Sequence, residues 1–210
     1  MIPRRHVLAA TAAMLLTHGT PAVAVSSSDD ILAAILAARR SLTSLRARFR
    51  QKRLTKLLTI ESDGELTVVT PEHLRYELFP PDDVVYWVTP QGTVHRAKGA
   101  KNAVPVARGG LAVSMPDWIA LLAGDILKLK SRYEIGATED KMGAALVRLK
   151  PKDKSLSEDV ERIALRTNPD KWSSRELVVE QPNGMVTTLE FATNEKNPKI
   201  DADRMRPPSQ

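Results

Sequence analysis

The side chains in this sequence that could do chemistry are few, and their spacing argues against catalysis. His73 and His95 lie outside the N-terminal segment, and neither has partners at the spacing of a metal site. The adjacent carboxylates Asp29-Asp30, Asp82-Asp83 and Glu158-Asp159 stand where helices begin or the chain turns, so backbone capping accounts for them. No Gly-x-Ser-x-Gly turn presents a serine nucleophile, and no glycine-rich loop precedes a helix to cradle phosphate. The chain has no cysteine, which excludes disulfides, thiol catalysis, cysteine metal sites and a lipid-modified N-terminal cysteine. The sequence therefore reads as a non-enzymatic protein with no catalytic residue, no metal and no cofactor.

The strongest charge feature is the run Arg46, Arg48, Arg50, Lys52, Arg53 and Lys56. If residues 48–52 are extended, Arg48, Arg50 and Lys52 project from one face. That face could dock against anionic head groups or an acidic protein. A solvated outer surface is the plainer reading of the same residues. Aromatics make up only 4% of the chain, too few to stack on bases, so nucleic acid is not an expected partner.

At 210 residues and 42% hydrophobic, the chain is long and apolar enough for one buried core. Residues 1–24 stand apart from it. Arg4 and Arg5 precede an apolar run over 7–16 that is too short to span a membrane, and Ala22-Val23-Ala24 has the form of a cleavage site. This is the pattern of a signal peptide removed on export, with the mature chain starting near Val25. Loss of the two arginines lowers the formal charge from +6 to +4. Arg4-Arg5-His6-Val7-Leu8 also resembles a twin-arginine signal, but Pro3 and Ala9 depart from the fuller motif, so the ordinary route is favoured. Residues 25–210 read as a single domain, exported to a bacterial periplasm and monomeric.

The elements that must position any site follow in a clear order. Ile31, Leu32, Ile35, Leu36, Leu42, Leu45 and Phe49 recur at three- and four-residue steps, predicting a helix over 29–48 capped by Ser28 or Asp29. Strands are predicted at 49–60, 65–69, 73–79, 84–89 and 94–96. Pro71, the Pro80-Pro81-Asp82-Asp83 run and Pro90-Gln91-Gly92 mark turns between them. Residues 97–113, rich in Gly and Ala, read as a mobile surface loop. Ser114-Met115-Pro116-Asp117 begins a short helix with Trp118, Ile119, Leu121 and Leu122 on its apolar face, and Gly124 stops it. Strands resume at 132–135, 144–150, 160–167, 177–180 and 185–192, the last two joined by Pro182-Asn183-Gly184. The remainder, 193–210, reads as a polar tail carrying Ile200.

Hairpin-linked strands in this order make a meander. The expected fold class is α+β: one strongly curved antiparallel sheet, an incomplete barrel, with helices covering its concave face. One strand raises a question. Val84-Val85-Tyr86-Trp87-Val88 is apolar at every position, whereas a strand with one wet face alternates. A helix can cover one of its faces. The sequence leaves open what covers the other.

The mature chain as a whole resembles the periplasmic outer-membrane lipoprotein carrier family (LolA-like). Four stretches carry the resemblance. The N-terminal helix runs into SLRARFRQ, and GELTVVTPEHLRYELFPPDDVVYWVTPQGTV gives the pattern of Gly, apolar strand, Pro, aromatic strand, Pro and apolar strand. WIALLAGD leads to SRYEI, and VVEQPNGMVTTLEFATNEKNPKIDADRMRPP closes the chain.

The resemblance implies an open barrel whose helix-lidded concave face holds the acyl chains of a lipoprotein or lipid. Such a carrier takes cargo from an inner-membrane transporter to an outer-membrane receptor. At ~0.8 kcal/mol per buried methylene, a few acyl chains give ample affinity. The cavity candidates under this reading are Leu66, Val68, Leu74, Tyr76, Leu78, Val85, Trp87, Trp118 and Leu122. The assignment rests on alternation, and a one-residue slip exchanges the faces. The sequence departs from the family where the resemblance implies an arginine before the proline of the second strand, latching the lid. Thr70 stands there, with Arg75 the nearby cation. This departure and the low aromatic content favour a divergent relative, carrying a glycolipid or another acylated molecule. The rival reading is a protein-interaction or envelope-sensing module with a dry core, using the basic face and the 97–113 loop.

Overall fold

The computed structural model describes residues 26–106 and 109–208. The expected signal peptide and its cleavage site lie outside the described residues. The chain opens with α1 (Ser28–Arg39), whose N-cap is Ser27 rather than either residue expected to cap it. Ser27 Oγ accepts from the Asp30 amide at 3.2 Å, and the Asp30 carboxylate accepts from the Ser27 amide, a reciprocal capping box.

α1 ends well before residue 48. The residues that extended the helical stripe also fit a period of two: Leu45, Ala47 and Phe49 alternate with Arg46, Arg48 and Arg50. Pairing with neighbouring strands decides between the periods, and β1 (Ser44–Leu54) is extended throughout.

β2 (Thr59–Val69), β3 (His73–Leu78), β4 (Val84–Thr89) and β5 (Gly92–Ala97) follow as a meander. The segment read as a mobile loop then forms β6 (Val104–Pro105) on β5, with Ala103 buried and a 3-10 turn at Gly110–Val113. α2 (Met115–Ala123) has proline in its first turn and Gly124 at its end, with φ +94°. Ser114 does not cap it by its side chain; its hydroxyl donates to the Leu111 carbonyl instead.

A further 3-10 turn, Ile126–Ser131, leads to β7 (Tyr133–Glu139) and β8 (Ala145–Pro151). The short α3 (Lys154–Ser157) is followed by β9 (Arg162–Thr167), β10 (Ser174–Glu180) and β11 (Val186–Phe191). The stretch read as a tail holds β12 (Glu195–Lys196) and a 3-10 turn at Ala202–Met205.

All strands join one twelve-stranded antiparallel sheet, in the order β6-β5-β4-β3-β2-β1-β11-β10-β9-β8-β7, with β12 beside β1. β6 and β7 end the path and do not pair with each other among the described residues, so the barrel stays open. This is the expected α+β incomplete barrel. One apolar core lies on the concave side. Ile31, Leu32 and Ile35 of α1 and Trp118, Leu121 and Leu122 of α2 pack there against Leu45, Phe49, Leu66, Val147, Leu165 and Leu177 of the sheet.

Candidate functional site

The strand register decides which expected cavity residues meet. Across β2, β3 and β4, Val68, Leu74 and Val88 stand opposite one another on one face, as do Leu66, Tyr76 and Tyr86. Leu78 pairs with Val84 on the same face. Leu66, Val68, Leu74, Tyr76 and Leu78 thus point to the concave side, where Trp118 and Leu122 arrive from α2, and all seven belong to one core cluster.

Val85 and Trp87 do not. Val85 stands beside Glu77 and Trp87 beside Arg75, on the convex face, and with Val94 and Ala103 they form a separate cluster. Their assignment to the cavity is corrected. Val84, Tyr86 and Val88 are the concave residues of this strand, and a strand apolar at every position gives no alternation from which to choose.

The convex face of β4 is covered by the chain's own C-terminal segment. Trp87 Nε1 donates to the Arg204 carbonyl at 3.1 Å, and Arg75 and Arg96 lie over its ring at 5.9 and 5.8 Å from the centroid. Arg204 reaches on to the buried Glu65 carboxylate at 3.2 Å. Asn197 anchors the segment: its side-chain oxygen accepts from the Thr43 amide at 2.8 Å, and its amide donates to the Ser41 carbonyl at 2.8 Å.

On the concave side the aromatic rings form a contiguous group. Phe49 stacks on Tyr76 at 5.1 Å between centroids, and Trp118 of α2 meets Tyr76 edge-on at 5.8 Å. The close approach of Phe49 needs Gly64, because a Cβ there would stand 2.5 Å from the phenyl ring. The Tyr76 hydroxyl donates to Gln51 Oε1, and burial raises its pKa well above the usual phenol value. Two buried donors in this region, Gln51 Nε2 and Trp118 Nε1, have no partner among the described residues.

α2 roofs this face and is held at both ends. At its start the Asp117 carboxylate accepts from the Tyr133 hydroxyl at 2.6 Å and from Arg132. Burial raises the Asp117 pKa, against the opposing pull of those two partners. At its end Arg39 is almost wholly buried and donates to the carbonyls of Leu121 and Leu122 at 2.8 and 3.0 Å. The same guanidinium donates to the Lys171 carbonyl at 3.0 Å and contacts Ser174 Oγ at 3.4 Å. Burial lowers its pKa to about 10, offset in part by Asp170 nearby.

These carbonyls belong to the last turn of α2, where a cation suits the helix dipole. Arg39 therefore ties α1, α2 and the β9–β10 turn together. The sequence signal for it was hidden. Arg39, Arg40, Arg46 and Arg48 all fall in the C-terminal half of the predicted 29–48 helix, and nothing in the spacing separates Arg39 from its exposed neighbour Arg40.

Beside this tether a groove of about 420 Å³ opens between the helices and the end of the sheet. Leu36, Leu42, Ile119 and Ala123 give its apolar walls, and Thr70 stands on its rim with Arg39. Thr70 itself only donates to the Thr43 carbonyl, at 3.2 Å.

Arg48, Arg50 and Lys52 share the convex face of β1. Each lies beside a carboxylate of a neighbouring strand: Arg48 by Glu65 at 3.9 Å, Arg50 by Asp63 at 3.3 Å and Lys52 by Glu190 at 3.0 Å. The run that looks strongly basic along the sequence is therefore interleaved with acid across the sheet.

Comparison with known proteins adds a family. The model of the outer membrane lipoprotein carrier protein LolA matches residues 40–206. No curated protein matches the chain. Among solved structures, a LolA superfamily protein from Nitrosomonas europaea is 10% identical at a TM-score of 0.46, covering 86% of this chain and 98% of that one. The Mycobacterium tuberculosis lipoprotein LppX is 14% identical at 0.45, covering 83% and 100%. The MucA/MucB complex of Pseudomonas aeruginosa is 13% identical at 0.45, covering 85% and 60%. The family match spans every strand of the sheet and α2, and the chain belongs to the LolA family of outer membrane lipoprotein carriers.

Proposed function

We propose that this protein takes up acyl chains of a lipoprotein or lipid on its concave face and ferries them from the inner to the outer membrane. The observation that carries this reading is the pairing of a continuous apolar concave face with a roof helix fastened by hydrogen bonds at its two ends. Leu66, Val68, Leu74, Tyr76, Leu78, Trp118 and Leu122 line the face, and the groove beside Arg39 is the entry. In the closed form these side chains fill the interior, so loading requires α2 to move. The unpartnered donors of Gln51 and Trp118 favour a cargo with carbonyl oxygens, because an unsatisfied buried donor costs about 1–3 kcal/mol.

Under this reading residues 1–24 are a signal peptide cleaved near Ala24. Residues 25–210 work as one domain in the periplasm, between an inner-membrane transporter and an outer-membrane receptor. One observation favours the second reading, an interaction module: the closed interior is filled by side chains, with Leu66, Val68, Leu74 and Trp118 all at 0% exposure. Purification from the native envelope, followed by mass spectrometry of co-purifying lipid, separates the two. A stoichiometric acylated species supports the carrier and names its cargo. A lipid-free protein that also refuses a fluorescent fatty-acyl probe supports the module.

A further inference from the structure

The β1–β2 hairpin ends in three leucines that the fold leaves uncovered. Leu57 is 92% exposed, Leu58 52% and Leu54 50%. The tip is a built turn, not a loose end. The Thr55 amide and hydroxyl both donate to the Leu58 carbonyl at 2.9 Å, and the same hydroxyl accepts from the amides of Leu57 and Leu58 at 3.3 and 3.1 Å. The turn therefore holds Leu57 and Leu58 outward.

The hairpin also outruns its neighbour on one side. β3 pairs with β2 only from Gly64 onward, so residues 59–62 run past it by about 13 Å, at ~3.3 Å per residue, while β11 accompanies β1 to Leu54 on the other side. Arg53 and Lys56 flank the leucines, and neither forms an ion pair among the described residues, unlike Arg50 and Lys52 below them. Exposed apolar side chains beside the exposed Lys56, with Arg53 below them on β1, match the boundary of an anionic bilayer, where leucine enters the acyl region and cations meet phosphate.

We propose that the β1–β2 tip is a membrane-contact site, inserting Leu57 and Leu58 into the surface of anionic phospholipid bilayers. The inference goes beyond acyl-chain carriage and stands without it, since the tip belongs to neither the concave face nor the lid.

The chain has no cysteine, so Leu57→Cys gives a single labelling position in the exported protein. An environment-sensitive fluorophore there should shift to the blue on vesicles of phosphatidylglycerol and phosphatidylethanolamine. The same label on Met142→Cys, at the opposite end of the sheet and 81% exposed, should not shift. In co-sedimentation with those vesicles, the double variant Leu57→Asp/Leu58→Asp should bind about tenfold less or weaker still. Both positions are exposed, so circular dichroism and uptake of a fatty-acyl probe should match the unaltered protein. The proposal is overturned if the label at residue 57 stays unshifted, or if the double variant sediments like the parent. It is equally overturned if binding needs a membrane protein and is absent from protein-free vesicles. Loss of acyl-probe uptake with vesicle binding intact would instead count against the carrier reading alone.

Discussion

Arg39 combines burial, charge and four backbone or hydroxyl acceptors, yet it has no ion-pair partner among the described residues. Charged hydrogen bonds of this kind contribute about 1.5–3 kcal/mol each before desolvation is set against them. Arg39→Ala should lower stability by about 2–4 kcal/mol, read by chemical denaturation, while speeding uptake of a fluorescent fatty acid as α2 loosens. Uptake at the parental rate would show that the tether does not control loading. Gly124 tests the same joint from the other side. Its Cβ would stand 2.5 Å from that of Arg39 at a positive φ, so Gly124→Ala should destabilise and displace the guanidinium.

Trp87 shows where alternation fails as a guide. Its strand is apolar on both faces, and the residue that covers the convex one, Arg204, is remote in sequence. Trp87→Ala should therefore destabilise the C-terminal segment, seen as earlier proteolysis there, and leave acyl-probe uptake unchanged. The other concave assignments needed only one strand with a polar partner face: Leu74, Tyr76 and Leu78 alternate with Arg75 and Glu77.

Among the elements, hairpins were legible because their turns carry chemistry. Pro-Asn-Gly before β11 and Pro-Gln-Gly before β5 mark strand ends that the structure confirms within a residue or two. The α1–β1 boundary was not, because two periods overlap in the same residues. The C-terminal segment was invisible for another reason: β12 is two residues long and depends on Asn197 bridging to residues 41–44. The groove was not legible: none of the nine residues expected to line a cavity stands on it, because its walls come from α1, α2 and the β2–β3 turn.

The roof helix carries a pH signature. The folded pKa of Asp117 is raised by burial, so its negative charge opposes folding at neutral pH. That penalty is absent below the unfolded value near 3.8 and grows as pH rises through the folded pKa. Asp117→Asn should remove this slope from a stability–pH profile and leave neutral-pH stability equal or higher. Asp30 has the opposite sign. Its capping bonds lower its pKa, so its contribution is present above 3.8 and is lost as pH falls through the folded value.

At the scale of the whole molecule, an open sheet curls around a core, and its two halves are hydrogen-bonded to each other where β1 meets β11. The helices that fill the concave side are fastened by polar contacts at their ends rather than woven into the sheet. A carrier needs that arrangement: a stable wall and a roof that can lift. The claim that acyl chains replace the roof's contacts on the concave face is tested most directly by quenching Trp118. In the Trp87→Phe/Trp172→Phe variant it is the remaining tryptophan. A fatty acid spin-labelled along its chain should quench its fluorescence saturably and be displaced by unlabelled lipid. Fluorescence that stays constant across the titration would contradict the account and place this family member among proteins that use the fold with a permanently closed core.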